Sequence, residues 1–220
     1  MAILSTQAEE NYLKAIFKIA ERDGTPVATN AIAAAMNTAA ASVTDMLKRL
    51  ADKKLISYEK YKGVQLSKSG QKLATELIRK HRLWETFLVT KLGFAWDQVH
   101  EFAEQLEHIQ GDLLTQQLDK FLGYPRFDPH GEPIPDAEGK WETRDQISLA
   151  MMGVGDKGKI TNVADDSSVF LQYLNQIGLE LNSEIEVLQQ FPYDHSVKVR
   201  LNNQELLLSE KVSQNLFVKK

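Results

Sequence analysis

The sequence predicts a mainly helical chain with a β-rich C-terminal part: a winged helix-turn-helix, two long helices, and a small β-barrel. Three observations predict it. Apolar residues up to Leu50 recur at helical spacing in three blocks and then give way to a period of two. Two long periodic stretches follow between Ser67 and Gly123. Beyond Gln146 lie five short strand-like runs.

The elements follow in order. Thr6-Gln7-Ala8-Glu9 has the form of a capping box, and Ala8, Tyr12, Ala15, Ile16 and Ile19 continue it as a helix that Gly24 ends. Thr29 or Asn30 is expected to cap a short second helix through Ile32, Ala33 and Met36. Asn37-Thr38 breaks it, and a third helix places Val43, Met46, Leu47 and Leu50 on one face. Leu55–Tyr61 and Val64–Leu66 read as two strands turning at Lys62-Gly63, so the order is that of a winged helix. Ser67 or Ser69 caps a fourth helix running to about Leu92. Trp96-Asp97 opens a fifth, expected to continue unbroken to about Leu122. A proline-rich linker follows from Tyr124-Pro125 to Pro135. The strands Gly158–Val163, Glu184–Gln190, Ser196–Leu201, Gln204–Leu208 and Leu216–Lys219, with one helix at Ser168–Ile177, suggest a small barrel.

Composition narrows the function classes. The absence of cysteine excludes disulfides, thiolate metal sites and cysteine nucleophiles, leaving nitrogen and oxygen donors for any metal. No apolar run approaches the ~18–20 residues that span a bilayer. The opening Met1-Ala2-Ile3-Leu4-Ser5-Thr6 lacks a basic region followed by an apolar stretch, so a cytoplasmic location is expected. The net charge of −4 is unevenly spread: up to Lys72 there are 11 basic and 7 acidic residues, whereas the remainder holds 15 basic and 23 acidic ones. A mildly basic head on an acidic body fits a DNA-facing module joined to one that binds a cation.

With the third helix in a major groove, Ala39, Ala41, Ser42, Thr44 and Asp45 near its start, then Lys48 and Arg49, face bases and phosphates. Small residues there allow close approach, and alanine methyls can touch thymine methyls. Lys60 and Lys62 on the wing lie near the backbone. The same basic face also suits a protein-interaction module.

The stretch Val99–His108 carries the sharper signal. At about 100° per residue, His100, Glu104, Glu107 and His108 fall within a roughly 100° arc, with Val99, Phe102, Ala103, Leu106 and Ile109 on the other, core-facing side. Like charges at i, i+3 repel, so Glu104 and Glu107 beside His108 call for a cation. His81 and Glu85, an i, i+4 pair on the fourth helix, can meet the same face. The donor set suits Mn(II), Fe(II), Co(II) or Zn(II). Without a cation it would be a solvated acidic face.

At these residues the sequence resembles the diphtheria toxin repressor family, which includes the iron-dependent regulators and the manganese transport regulators. The landmarks are Glu10-Asn11-Tyr12-Leu13, Tyr58 through Gly63, Arg79-Lys80-His81-Arg82-Leu83, Val99-His100 through Glu107-His108, and Pro129-His130-Gly131-Glu132-Pro133-Ile134-Pro135. The resemblance covers essentially the whole chain. It implies a winged helix over 1–72, a helical dimerisation and metal-binding domain with its linker over 73–145, and an SH3-like (FeoA-like) domain over 146–220. It implies a homodimeric, non-enzymatic repressor of metal-uptake genes, binding double-stranded operator DNA and activated by Mn(II) or Fe(II), with Zn(II) or Co(II) accepted in vitro. No membrane partner and no organic substrate are expected.

By the same resemblance, one metal site uses Glu104, Glu107 and His108 with Asn11. A second uses His81, Glu85 and His100, with Asp166, or its neighbour Asp165, as the barrel's donor and Val169 unable to coordinate. Glu104 stands where the iron branch has cysteine. Asn11 replaces that branch's methionine and the manganese branch's aspartate, and Lys14 stands where the manganese branch has a glutamate ligand. The balance leans to manganese. In this reading the metal ties the head to the dimer core and holds two recognition helices about one DNA turn apart, ~34 Å. Readings from other classes are a metal-dependent hydrolase built on the His/Glu cluster and a winged-helix regulator responding to an organic ligand.

Overall fold

The computed structural model describes residues 5–59 and 62–220. Residues 1–4, read above for a leader, and Lys60 and Tyr61 of the wing lie outside the described residues. Backbone contacts divide the chain into two compact units, Met1–Lys80 with Pro135–Lys140 and His81–Ile134 with Trp141–Lys220.

In the first unit, α1 (Gln7–Asp23) starts with the expected capping box: Thr6 Oγ1 accepts from the Glu9 N–H, and the Glu9 carboxylate accepts from the Thr6 N–H. Its Leu13 and Ile16 are fully buried. α2 (Thr29–Ala35) departs from expectation, because Ala28 is its N-cap and no side chain caps it. Thr29 already belongs to the helix, one position too far along to cap it. α3 (Ala40–Asp52) buries Val43, Leu47 and Leu50 completely, leaving Met46 half-buried. β1 (Ile56–Glu59) and β2 (Gly63–Leu66) form the antiparallel wing with Ile56 opposite Leu66, and Val27 bridges to Val64. α4 (Lys68–Leu92) begins at Ser67, whose hydroxyl accepts from the Gly70 N–H at 3.1 Å. Gly70 lets this helix press on the wing: a Cβ there would stand 2.0 Å from the Leu55 carbonyl oxygen.

In the second unit, the expected fifth helix is broken. It forms α5 (His100–Leu106) and α6 (Asp112–Phe121), separated by a turn that ends at Gly111, whose φ of 130° no helix tolerates. Trp96 and Asp97 precede the first of these in a turn. Val99 and Ala103 are buried as expected, but Phe102 and Ile109 are exposed rather than core. The proline-rich segment is pinned to α4 by Arg82, which donates to the Pro133 carbonyl at 2.6 Å and pairs with Glu132.

The rest of the unit is one antiparallel sheet of β3 (Ile147–Ser148), β4 (Lys157–Val163), β5 (Glu184–Gln190), β6 (Val197–Leu201), β7 (Gln204–Leu208) and β8 (Leu216–Lys219), in the order β3-β8-β4-β5-β6-β7. Bulges at Ile160/Asn162 and Val187/Gln189 bend it around a core that includes Leu149, Met152, Leu171, Leu174 and Val199. α7 (Ser168–Gln176) covers that core. β3, a 3-10 turn at Leu149–Met151, and α8 (Glu210–Asn215) are additions to the sequence reading. Each is too short to show a hydrophobic period.

Candidate metal centre and nucleic-acid interface

α4 positions His81 and Glu85 one turn apart and buries both. Burying a carboxylate is costly unless it is paired, and here the pairing is dense. His81 Nε2 lies 2.9 Å from Glu85 Oε1 and its Nδ1 lies 2.5 Å from Glu107 Oε2, so one ring bridges two buried carboxylates. From α5, Glu104 Oε1 stands 3.7 Å from His81 Nδ1 and 3.8 Å from His100 Nε2. His108, just past α5, has its Nε2 3.8 Å from Glu107 Oε1.

His100 Nδ1 is buried and makes no hydrogen bond; Glu85 Oε1 and Asp166 Oδ2 each stand 3.6 Å away. Donors bound to one ion at about 2.0–2.2 Å lie roughly 3–3.5 Å from each other, so this spacing suits a shared cation better than a direct hydrogen bond. The structure thus gathers His81, Glu85 and His100 into one potential ligand group and His81, Glu104 and Glu107 into another. Asn11 belongs to the other unit, where its Oδ1 is buried without a hydrogen-bond partner. Such an orphaned amide oxygen is a competent hard donor. Val169 is exposed on α7, and Asp165 spends an oxygen on the Ser167 N–H.

A third group escaped the sequence reading: Glu85, Asp128 and His130. Pro129-His130-Gly131 counted only as a landmark. The usable signal was an acid and an imidazole two residues apart on a loop with a glycine beside them. Asp128 Oδ1 accepts from the His130 and Glu132 N–H groups, folding the loop so that His130 Nδ1 faces Glu85 Oε2 at 3.6 Å. His130 Nε2 donates to the Trp96 carbonyl at 2.8 Å, which fixes the ring and leaves Nδ1 as the coordinating atom.

Electrostatics follow the packing. Burial opposes ionisation of Glu85, but the His81 charge, the hydrogen bond to His81 and the close approach of His100 and His130 outweigh it and hold the carboxyl well below the usual range. Burial, together with the charges of Glu85 and Glu132, pushes Asp128 up to about 7 against the pull of Arg82 and His130. Burial lowers His130, yet the facing Glu85 carboxylate and the nearby Asp128 charge raise it to about 9. Positive charge is what this pocket stabilises.

On α3, Ala41, Ser42, Lys48 and Arg49 are exposed, as is the N-cap Ala39. Thr44 is half-buried, its hydroxyl donating back to the Ala40 carbonyl at 2.9 Å. Lys48 pairs with Asp45 at 3.2 Å, and Lys62 in the wing turn pairs with Glu59 at 2.6 Å.

A winged helix joined to a nitrogen-and-oxygen metal cluster defines a class of metal-responsive DNA-binding proteins. Residues 4–64 match the family model described as iron dependent repressor, N-terminal DNA binding domain. Residues 67–136 match the iron dependent repressor metal binding and dimerisation domain, and 147–220 the FeoA domain. Among solved structures, the chain is 33% identical to a manganese-dependent transcriptional repressor in complex with manganese, covering 96% of this chain and 98% of that one with a TM-score of 0.88. It is 32% identical to ScaR with bound Zn2+, covering 96% and 99% at a TM-score of 0.82. The diphtheria toxin repressor of Corynebacterium jeikeium is 36% identical over 126 residues, 57% of this chain and about half (52%) of that relative. The chain belongs to the iron-dependent repressor family.

Proposed function

We propose that this protein is a homodimeric, metal-activated transcriptional repressor that binds operator DNA upstream of metal-uptake genes, with Mn(II) or Fe(II) as activator. The observation that carries the reading is the His81–Glu85–His100 group, with two carboxylate oxygens standing 3.6 Å from a buried, otherwise unbonded ring nitrogen. His81, Glu85 and His100, with Asp166, hold one ion. Asp128 and His130 extend that cluster through Glu85, while Glu104, Glu107 and His108, with Asn11, serve the other. When bound, the ion supplies a fixed positive charge among these carboxylates.

The sulfur-free donor set suits Mn(II), Fe(II), Co(II) or Zn(II), and availability in the cell rather than raw affinity makes Mn(II) or Fe(II) the activator. α3 is the recognition helix, with Ala39, Ala41, Ser42, Thr44, Lys48 and Arg49 toward the groove and Lys60 and Lys62 toward phosphates. We divide the work among 1–72 for DNA, 73–145 for metal and dimer contacts, and 146–220 as the FeoA-like part. Such a protein performs no catalysis, and acting on operators places it in the cytoplasm. No helix among the described residues is long and apolar enough to cross a membrane.

Activation is a linkage: metal tightens DNA and DNA must tighten metal by the same factor, about 5–150-fold for a coupling of roughly 1–3 kcal/mol. The test is an anaerobic gel shift on the upstream region of a metal-transporter gene with Mn(II), Fe(II), Zn(II) or chelator. Metal-dependent retardation is expected. Equal binding after exhaustive chelation would overturn the reading.

A further inference from the structure

We propose that Asp45 is the base-reading residue of the recognition helix, selecting with Lys48 one C·G pair in each operator half-site. This rests on the repressor reading above and concerns which bases α3 distinguishes.

Along α3 the exposed stripe runs through Ala41, Ser42, Asp45, Lys48 and Arg49. Most of the other polar groups near its start discriminate poorly. Thr44 has turned its hydroxyl to the Ala40 carbonyl, Ala39, Ala40 and Ala41 offer methyl groups alone, and Ser42 both donates and accepts. Asp45 is different in kind. Its side chain is 72% exposed at the middle of the stripe, on the surface that would approach a polyanion. A carboxylate there is repelled by phosphates and weakens binding to every sequence alike, unless it gains a contact that only some sequences supply.

An ionised carboxylate only accepts hydrogen bonds. In the major groove the amino donors are cytosine N4 and adenine N6, and adenine sets the N7 acceptor beside its amino group, where a carboxylate is repelled. Cytosine is therefore preferred. Lys48 Nζ, 3.2 Å from Asp45 Oδ1, complements this choice. It offsets the carboxylate's charge against the backbone and has protons to spare for guanine O6 and N7. Aspartate's carboxylate is bonded directly to its Cβ, so the helix must come close, and Ala41 and Ser42 in the preceding turn permit that approach.

The experiment selects bound duplexes from a randomised library with full-length, Mn(II)-loaded wild-type protein, Asp45→Ala and Asp45→Asn, each with a chelator control. The wild type is expected to enrich a palindrome with a fixed C·G pair in each half. Asp45→Ala should lose roughly 5–150-fold of discrimination at that pair alone, while binding unrelated DNA more tightly because a repelled charge is gone. Asp45→Asn should shift the pair toward A·T, since an amide satisfies both N6 and N7 of adenine. Chelator sensitivity should persist in all three proteins. If Asp45→Ala enriches the wild-type motif with every position unchanged, Asp45 is only a solvated partner of Lys48 and the inference fails. If the wild type shows no chelator-sensitive enrichment, the repressor reading itself falls and takes this one with it.

Discussion

His81 belongs to both candidate ligand groups, and its role depends on what occupies its ring nitrogens. Contacts to Glu85 and Glu107 engage both of its ring nitrogens. Coordination requires a proton to leave, so metal competes directly with protons here. Asp128 and His130 carry the same competition into the adjoining group. With Asp128 raised to about 7, its neutral form favours the folded state below its ordinary value near 4, and that contribution is lost as pH rises through 7. His130, raised to about 9, contributes fully below about 6.5 and loses its contribution as pH passes 9. Chelated protein should therefore melt at lower temperature at about pH 8.5 than at about pH 6, and the gain on adding Mn(II) should be larger at the higher pH. Melting curves at the two values check this; a metal-induced gain that is equal at both would count against coordination by these groups. Glu104→Ala should abolish metal-stimulated DNA binding while sedimentation still reports a dimer. An undiminished metal response would remove Glu104 from the ligand set.

The same donors show at the level of elements why the sequence disclosed them only in part. The i, i+4 spacing of His81 and Glu85 and the arc from His100 to Glu107 are periodic features, and helices translate periodicity directly into a shared face. Because Glu107, the C-cap of α5, still has helical backbone angles, the arc survives the break at Gly111, even though the helix was expected to run on. A glycine in a helical pattern is ambiguous until its φ is known, and Phe102 and Ile109 could not be told from core residues by period alone. The FeoA-like sheet was legible strand by strand in β4 to β8, whereas β3 has two residues and no period to read. Asp128 and His130 sit on an irregular loop, where local hydrogen bonds rather than periodicity set direction, so their convergence on Glu85 left little trace in the sequence. That loop rests on Gly131, at φ 86° with space for a Cβ blocked by the Thr161 carbonyl oxygen 2.0 Å away. Gly131→Ala should cost about 1–3 kcal/mol in chemical denaturation and should weaken metal binding by shifting His130. By contrast, Thr6→Ala removes only the cap of α1 and should cost about 1 kcal/mol with metal affinity unchanged.

For the whole molecule, the unresolved demand is apolar surface. Leu113, Phe121 and Tyr124 are each more than 60% exposed, and Phe102, Ile109 and Leu114 each more than 40%, all on α5, α6 and the turns that follow them. Isolated exposed apolar side chains are ordinary, but this many from one short stretch of a single unit mark a surface that another protein covers. The matched family model describes residues 67–136 as a dimerisation domain, and a second copy of the chain is the partner that explains both. A two-fold dimer uses the same self-complementary patch on both copies, so a charge placed there is buried in the interface twice against apolar partners. Leu113→Asp combined with Phe121→Asp should therefore convert the dimer to a monomer in analytical ultracentrifugation. Both side chains are exposed, so the fold should persist and the metal donors on α4 and α5 should still bind Mn(II). DNA binding should nevertheless collapse. A palindromic operator presents two half-sites, and a monomer gains the contacts of one while losing the effective concentration that delivers the second. A monomeric double variant that held the operator as tightly as the wild type, with Mn(II) present, would show that one recognition helix suffices and that the paired body serves something other than DNA recognition.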